Sequence, residues 1–476
     1  MIKWDDLQSN RTLYRWQEEA IEVVREAWKT DEPNTTIAAV TGAGKTEVAV
    51  RLINEWDGIV TVVVPRKALM LQWRDDLEPY AIVGRFGGGS IRGWGDETGY
   101  INIATLNAMR SGKLASYLND FLDRKHLIIV DECHNLRGNK SRKALDNIPC
   151  DAVIGLSATP HPTKEAKEVV EALCGPIRYS YRYGQALHDG VIPPFVLHAV
   201  QIPMENAERN ELASIDNRIK KAMKESREWW GERRGREMLE LAKRLGMMRK
   251  RLLNDVESRY VLSSNILNQE DGVPTMVFHD TIDGVERLAR MTPNLNPAIY
   301  HSKSKEGNEQ IQRFLSGDTQ HLYSCLALAE GFNAPRVERA VMMSGPNAPL
   351  RRIQTLGRCL RGKTDKPNEI YFLYVAGTKD EDGLHNLLKT ADIPDYINGD
   401  EKRQIVNHWR WDLANGFVSI EAPKAPKAFI PSTPQKCEKC GRTFKSEVGL
   451  NSHYCRDVKW MYEDPPRTFE EMFGSD

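Results

Sequence analysis

The chain has 476 residues, enough for roughly two or three domains with hydrophobic cores. Hydrophobic residues make up 41% and charged residues 28% of it, as is typical of a soluble globular protein. The formal net charge is zero, so the overall charge does not indicate a polyanionic partner. A single basic groove would nevertheless be enough to bind a polyanion. Neither an apolar signal segment nor an apolar run of the ~20 residues that a membrane span needs is present. We therefore expect a cytoplasmic protein with no membrane partner.

Short runs rich in Val and Ile alternate with helical stretches in the first part of the chain. Near-continuous apolar runs between amphipathic helices predict a parallel sheet that is covered on both faces. The predicted strands are 37–40, 59–64, 101–104, 127–130 and 152–156. We interpret residues 1–203 as one α/β domain.

The same alternation returns later, with predicted strands at 275–278, 298–300, 321–325, 339–343 and 369–375. This pattern predicts a second α/β domain over residues 271–378. The fold class is therefore α/β, with two parallel-sheet domains in tandem.

The segments outside these two domains have different compositions. Residues 204–270 read as helical and rich in Lys and Arg, so they form either a solvated helical linker or an arm that grips a phosphate backbone. Residues 379–420 are predicted to be a helical extension. Closely spaced prolines make 421–435 an extended linker, and 436–476 hold a small module and a tail.

A small-residue loop follows the first predicted strand and leads into a predicted helix. Small residues in such a turn let backbone N–H groups point at phosphates. Within it, Lys45 suits the β- and γ-phosphates of ATP and Thr46 suits Mg²⁺, although the general motif has glycine where Ala39 stands. The predicted nucleotide-binding residues are Thr41, Gly42, Ala43, Gly44, Lys45 and Thr46.

Two acidic residues follow another apolar strand, at the end where α/β sheets bind ligands. Asp131 suits Mg²⁺ coordination, and Glu132 suits orienting or deprotonating an attacking water. Far downstream, Gln354, Arg358 and Arg361 suit the γ-phosphate, because guanidinium groups match phosphate oxygens. A nucleotide closed between two domains is the arrangement of a molecular motor.

In this order the motifs resemble those of superfamily 2 helicases, over about residues 12–376. Residues 14–21 are similar to the Q motif, which makes Gln17 the residue that reads the adenine. Residues 41–46 are similar to motif I, and Asp131-Glu132-Cys133-His134 is similar to the DExH form of motif II. Residues 157–160 match motif III. The resemblance implies that the following residues couple hydrolysis to domain movement: His134, Ser157 and Thr159.

The second half of the chain continues the resemblance. Residues 328–335 look like motif V, which places Glu330 and Gly331 at the nucleotide. Residues 354–361 look like motif VI, which implies that Arg358 and Arg361 act as arginine fingers beside Gln354.

Two further stretches suit contact with a nucleic-acid strand, and we call the surface they would form the polymer track. Residues 62–73 resemble motif Ia and 103–107 resemble motif Ib, which implies backbone phosphate contacts by Arg66 and Thr105. Leu69 and Trp73 also indicate an ordinary core helix, and both interpretations can hold for different faces of it.

Residues 84–89 and 183–195 are similar to the XPB-like, UvsW-like and type III restriction branch, whose members mostly engage duplex or branched DNA. We therefore predict an ATP-dependent DNA helicase or translocase. The alternatives are an RNA helicase and a nucleic-acid-linked ATP switch that does not translocate.

The C-terminal module resembles a C2H2 zinc finger. Cys437, Cys440 and His453 have the spacing of three Zn²⁺ ligands, with Phe444 and Leu450 at the core positions. The fourth ligand is Cys455 or Asp457, or no zinc is bound. Such a finger would contact DNA, recruit a protein partner or serve as a structural cap. The predicted cofactors are thus ATP, Mg²⁺ and Zn²⁺.

Overall fold

A computed structural model describes residues 12–78, 83–87, 90–92, 101–136, 138–161, 164–269, 272–304, 306–325, 337–344, 367–391, 393, 396–397, 400–423, 435–436 and 443–444. These residues divide into two units. One unit lies within residues 1–203 and 257–419 and contains two large β-sheets. The other lies within residues 204–256 and 420–476 and contains a helical hairpin.

The first sheet and its helices come from the first part of the chain. The elements are α1 (Arg15–Trp28), β1 (Thr35–Ala39), α2 (Lys45–Glu55), β2 (Ile59–Val64), α3 (Lys67–Leu77), β3 (Val83–Gly87), β4 (Ser90–Arg92), β5 (Ile101–Thr105), α4 (Leu106–Arg110), α5 (Lys113–Leu118), β6 (His126–Asp131), α6 (Gly138–Asp146), β7 (Ala152–Ser157), α7 (Lys164–Cys174), β8 (Ile177–Tyr181) and α8 (Tyr183–His188). The strand order is β4-β3-β5-β2-β6-β7-β1-β8, and every pair except β3–β4 is parallel.

The remaining elements follow in chain order. They are β9 (Phe195–Gln201), α9 (Asn206–Glu228), α10 (Arg233–Asn254), α11 (Glu257–Gln269), β10 (Thr275–His279), α12 (Ile282–Met291), β11 (Ala298–Tyr300), α13 (Gly307–Ser316), β12 (His321–Cys325), β13 (Arg339–Met342), β14 (Asn368–Tyr374), α14 (Lys379–Ala391), β15 (Tyr396–Ile397), β16 (Asp400–Gln404), β17 (Val406–Asp412), β18 (Gly416–Ser419), β19 (Gln435–Lys436) and β20 (Thr443–Phe444). The second sheet has the order β11-β12-β10-β13-β14-β9-β17-β18 and is parallel except for β17–β18.

The central strands of the first sheet have no exposed face. Each residue of β1, β2, β5, β6 and β7 is buried, because helices cover both sides of the sheet. The ten strands predicted from the apolar runs are all present, which confirms the two parallel-sheet domains.

The second sheet extends beyond the limits that the sequence suggested. The sequence predicts that the first domain extends to residue 203, but β9 lies between β14 and β17 of the second sheet. The sequence also predicts a helical segment over 379–420, whereas among its described residues only α14 is helical, and β15 to β18 follow it. The aromatic and β-branched residues of β17 and β18, among them Trp409, Trp411 and Val418, favour strands over helices.

A buried arginine fastens helix α11 to the second sheet. The Arg259 side chain is fully buried, and its guanidinium group donates hydrogen bonds to the carbonyl oxygens of Met343 and Leu373, the latter at 2.9 Å. It also pairs with the carboxylate of Asp380, which is itself buried. Asp380 in turn accepts a hydrogen bond from the backbone N–H of Val375. One charged pair thus joins α11, α14 and the ends of two strands.

The hairpin of α9 and α10 has an apolar seam and a basic exterior. The seam contains Ile215, Ile219, Met223, Ala242 and Leu245. Residues 206–254 hold fourteen Lys and Arg against eight Asp and Glu, in a chain whose net charge is zero. The predicted helical character of this segment is confirmed.

Within the described part of the chain, no helix is both long and apolar enough to cross a bilayer.

The Arg259–Asp380 pair gives a stability prediction. Arg259→Met should lower the free energy of unfolding by about 3–5 kcal/mol, because it leaves the buried Asp380 carboxylate without its cation. Denaturant titration monitored by circular dichroism measures this loss. The control is Arg290→Met, whose pair with Glu286 is 71% exposed on the arginine side and contributes about 0.5 kcal/mol or less. Equal effects of the two substitutions would contradict the bracing role of Arg259.

Candidate functional site

The predicted site residues of the first domain lie along one edge of its sheet. Parallel strands end at the same edge, and β5, β2, β6, β7 and β1 are neighbours in that order. The register places Thr105 beside Val64, Asp131 beside Leu156, and Ser157 beside Ala38. The polymer-track residues therefore occupy one part of this edge and the nucleotide-loop residues another, with the acidic pair between them.

The loop between β1 and α2 has the backbone shape that its glycines allow. Gly42 and Gly44 have φ angles of 90° and 92°, a region that residues with a side chain rarely adopt. Ala39 is the last residue of β1 and has no positive φ, so the chain needs no glycine there. The departure from the general motif at Ala39 therefore leaves the loop shape intact.

Lys45 and Gln17 brace this loop from opposite ends. The Lys45 ammonium donates hydrogen bonds to the carbonyl oxygens of Ala39 (2.9 Å) and Val40 (3.3 Å). The Gln17 carboxamide accepts from the N–H of Tyr14 at 2.9 Å and donates to the carbonyl oxygen of Gly44 at 3.0 Å. Gln17 thus connects the start of α1 to the loop, and its reading of a base stays a prediction.

The acidic pair stands at the end of β6 in a strained and buried setting. Glu132 has a φ of 50°, in the left-handed region that is costly for a residue with a side chain. Burial and the neighbouring Glu132 carboxylate raise the pKa of Asp131 to about 6, although a hydrogen bond from Trp73 and the charge of Lys45 act to lower it. A pair of this kind favours a bound cation, because a cation offsets the burial of negative charge.

Trp73 contacts the acidic pair, a role that the sequence analysis did not assign to it. Its indole N–H donates a hydrogen bond of 2.8 Å to Oδ2 of Asp131, and both groups are buried. The apolar periodicity of α3 predicts that Trp73 points inward, but no sequence signal identifies Asp131 as its hydrogen-bond partner.

Three predicted coupling residues form one hydrogen-bonded group. Asn135 Nδ2 donates to His134 Nε2 at 3.0 Å, which leaves the proton of the neutral imidazole on Nδ1. Nδ1 lies 2.9 Å from Ser157 Oγ and 3.3 Å from Oε2 of Glu132. Ser157 Oγ also accepts from the N–H of Thr159 at 3.1 Å. The ends of β6 and β7 are therefore linked through His134.

Two buried hydroxyl groups test whether this edge fits a magnesium nucleotide. Thr41 Oγ1 and Thr159 Oγ1 are buried and have no hydrogen-bond partner among the described residues. Buried polar groups without partners are rare and costly, so such groups beside a phosphate-type loop suit a polar ligand. Together with Lys45, Thr46 and Asp131 they fit ATP and Mg²⁺.

The two predicted track residues begin helices at the same edge. Arg66 is the N-cap of α3, and Thr105 is the N-cap of α4, where its hydroxyl oxygen accepts from the N–H of Ala108 at 3.3 Å. Thr105 also packs against Gly87, where an added Cβ would lie 2.3 Å from the hydroxyl oxygen. The helix N-termini next to these residues suit anions such as backbone phosphates.

The other predicted site residues lie outside the described residues. They are Glu330, Gly331, Gln354, Arg358, Arg361, Cys437, Cys440, His453, Cys455 and Asp457. Among the residues that the structure does describe, no group of three or more His, Cys, Asp or Glu side chains is arranged to hold a metal ion.

Two protein-family models match the chain in sequence. Residues 10–162 match the family described as type III restriction enzyme, res subunit. Residues 258–363 match the family described as helicase conserved C-terminal domain. The first match covers the nucleotide loop and the acidic pair, and the second covers most of the second parallel-sheet domain.

Individual proteins with similar sequences or structures agree with these matches. The DNA 3'-5' translocase XPB2 of Sulfurisphaera tokodaii is 25% identical over 77% of this chain and 82% of its own length. The DNA 3'-5' helicase XPB of Kineococcus radiotolerans is 24% identical over 72% of this chain, but this chain spans only 57% of it.

A solved structure shares the fold at low sequence identity. The ATP-dependent type ISP restriction-modification enzyme LlaBIII bound to DNA superposes with a TM-score of 0.57 at 14% identity, covering 85% of this chain and 32% of that one. The two family matches lie on the two parallel-sheet domains and, with the similar DNA helicases and translocases, show an ATP-dependent helicase enzyme of the superfamily 2 type that acts on nucleic acid.

Proposed function

We propose that this chain is an ATP-dependent DNA helicase or translocase that acts on duplex or branched DNA. The observation that carries the proposal is the continuous sheet edge from Thr105 and Arg66, through Asp131, to the loop at Lys45. A single rigid sheet there holds both the predicted polymer track and the predicted nucleotide site. The relatives named as DNA helicases and translocases support DNA as the polymer.

The residues of this edge divide the work of hydrolysis between them. Lys45 and the loop N–H groups would hold the β- and γ-phosphates, and Thr46 with Asp131 would hold Mg²⁺. Mg²⁺, when bound, neutralises negative charge on the phosphates. Glu132 lies beside Asp131 and would orient a water and accept its proton. Glu132 contacts His134, which contacts Ser157 at the end of the neighbouring strand. A change in the protonation or position of the Glu132 carboxylate would therefore reach Ser157 through His134.

We propose that residues of the second domain complete the site. Gln354, Arg358 and Arg361 would reach the γ-phosphate from across a cleft, and Glu330 with Gly331 would contact the nucleotide. Support comes from the family match that spans 258–363, which contains all five residues. Guanidinium groups fit this role because they stabilise the charge that develops on the transferred phosphoryl group.

The charge distribution of the α9–α10 hairpin favours a polyanion over an uncharged partner. Its surplus of six positive charges is balanced by negative charge elsewhere in the chain, so the cations are concentrated in one element. Lys220, Lys221 and Lys224 are all exposed and lie on one side of α9, where they would contact phosphates. This supports the arm interpretation of the segment over the solvated linker.

We also propose a C-terminal zinc finger with the ligands Cys437, Cys440, His453 and Cys455. Support comes from the spacing of the first three ligands in the sequence. Its role would be to raise the local affinity for DNA or to dock a protein partner.

The catalytic assignment predicts the effects of three substitutions. Lys45→Ala should abolish turnover, and Glu132→Gln should lower kcat by about 10²- to 10⁴-fold, because it removes the proposed base. Arg361→Ala should keep ATP binding but lower kcat by about 10³-fold, as loss of an arginine finger does. Steady-state ATPase rates and equilibrium nucleotide binding measure both effects. Lys29→Ala, on the exposed end of α1, is the control and should retain full activity. An unchanged kcat for Arg361→Ala would exclude it as the arginine finger.

The polymer assignment predicts which nucleic acid stimulates the ATPase. Duplex or forked DNA should raise the rate, and Arg66→Ala should require more DNA for half-maximal stimulation. The slope of log affinity against log salt should fall by about one in that variant, because one phosphate contact is lost. Rates measured with single-stranded DNA, duplex DNA, forked DNA and duplex RNA test this. Stimulation by RNA alone would favour an RNA helicase, and no stimulation would favour an ATP switch.

The zinc assignment predicts a change in metal content. Cys437→Ser should lower the zinc that copurifies with the protein, because it removes one thiolate ligand, while the core ATPase remains. Inductively coupled plasma mass spectrometry measures the metal. Cys150→Ser, at an exposed free cysteine, is the matched control and should keep the wild-type zinc content. Full zinc retention in Cys437→Ser would refute the ligand set.

A further inference from the structure

The Asp131 carboxylate is held at both oxygens by groups that can only donate. Oδ2 accepts from the indole N–H of Trp73 at 2.8 Å, and Oδ1 accepts from the N–H of Glu132 at 2.9 Å. An indole N–H has no acceptor atom, so the contact with Trp73 is satisfied only while Oδ2 accepts. The orientation of the proposed Mg²⁺ ligand is therefore set in part by a residue of helix α3.

Other tryptophans show that this protein does not require a partner for a buried indole N–H. The Nε1 atoms of Trp16, Trp28 and Trp56 are buried and have no hydrogen-bond partner among the described residues. The Trp73 N–H differs from these because it meets a carboxylate. Its placement is thus a specific feature of the site and not a general consequence of burying an aromatic ring.

Helix α3 connects this contact to the proposed polymer track. Arg66 is the N-cap of α3, and Trp73 lies seven residues further on, about 10 Å along the helix axis. Met70, Trp73 and Leu77 are each at most 2% exposed, so the inner face of α3 is anchored in the core. Because backbone hydrogen bonds keep a short helix rigid, its first turn and a side chain two turns later hold fixed positions relative to each other.

We propose that Trp73 is a positioning residue that ties the Asp131 carboxylate to helix α3 and thereby to nucleic acid bound at Arg66. The inference rests on the proposed function, which assigns Mg²⁺ to Asp131 and the polymer to Arg66. Nucleic acid that settles on the N-terminus of α3 would hold Trp73, and Trp73 would hold Asp131 in the orientation that suits the metal.

Two substitutions separate the hydrogen bond from the packing of the ring. Trp73→Phe keeps most of the ring volume and removes the N–H. Trp73→His loses more volume, but its Nε2 occupies the position in the five-membered ring that Nε1 holds in indole, so it retains a donor. A packing role predicts that Phe is the better replacement, whereas a positioning role predicts that His is.

The metal arm of the test does not depend on turnover. Equilibrium binding of Mn²⁺ to the protein–ADP complex, followed by electron paramagnetic resonance, reports the affinity of the metal site. Trp73→Phe should weaken Mn²⁺ binding by about 10-fold, as loss of a partner of a metal ligand does, and Trp73→His should restore most of the affinity. Trp56→Phe, which removes an indole N–H without a partner, is the control and should bind Mn²⁺ as the wild type does.

The polymer arm measures the ratio of DNA-stimulated to basal ATPase rate at saturating Mg²⁺. Trp73→Phe should lower this ratio several-fold more than Trp73→His does, with thermal unfolding confirming that both variants are folded. Wild-type Mn²⁺ affinity in Trp73→Phe, or a better result for Phe than for His, would overturn the inference. Wild-type protein that does not respond to DNA would instead overturn the proposed function, so the two failures are distinguishable.

Discussion

The parallel direction of the strands in the first sheet is the constraint on which the site depends. Parallel strands deliver the ends of β5, β2, β6, β7 and β1 to one edge, although the residues that follow them are far apart in sequence. The strand direction alone is enough to bring Thr105, Arg66 and the loop at Lys45 to the same side of the domain. Because helices cover both faces of the sheet, its loops reach solvent only at this edge and at the opposite one.

Polar chemistry at this edge is arranged at a cost to stability. Three features of this edge are each unfavourable in isolation. They are the left-handed backbone of Glu132, the raised pKa of Asp131, and the two buried hydroxyl groups that have no partner among the described residues. They occur together beside a loop that suits phosphate. Strain and unpaired polar groups that cluster in this way are expected where a ligand compensates for them. The buried pair of Arg259 and Asp380 has no such features, because each partner is satisfied within the fold.

Much of this organisation could be predicted from the sequence, because local patterns carry it. The apolar runs of the ten predicted strands and the glycines of the loop depend only on the nearby backbone. Trp73 could not be assigned in the same way, because its partner Asp131 is distant in sequence and the indole donor has no motif of its own. The Gln17 contact with Gly44 was missed for the same reason. Positions of this kind depend on which elements pack together, and a single sequence does not contain that information.

The strands β9, β17 and β18 were the largest error of the sequence interpretation, and their placement has a consequence for biosynthesis. β9 pairs with β14, about 170 residues later in the chain, and the hairpin of α9 and α10 is made between them. At ordinary translation rates a ribosome needs on the order of ten seconds to supply that partner. During this interval β9 is an apolar segment with open edges, which is the type of surface that chaperones cover. Separating the two halves of the chain after residue 203 would leave the second sheet without a central strand, so the natural boundary for dividing this protein lies before β9.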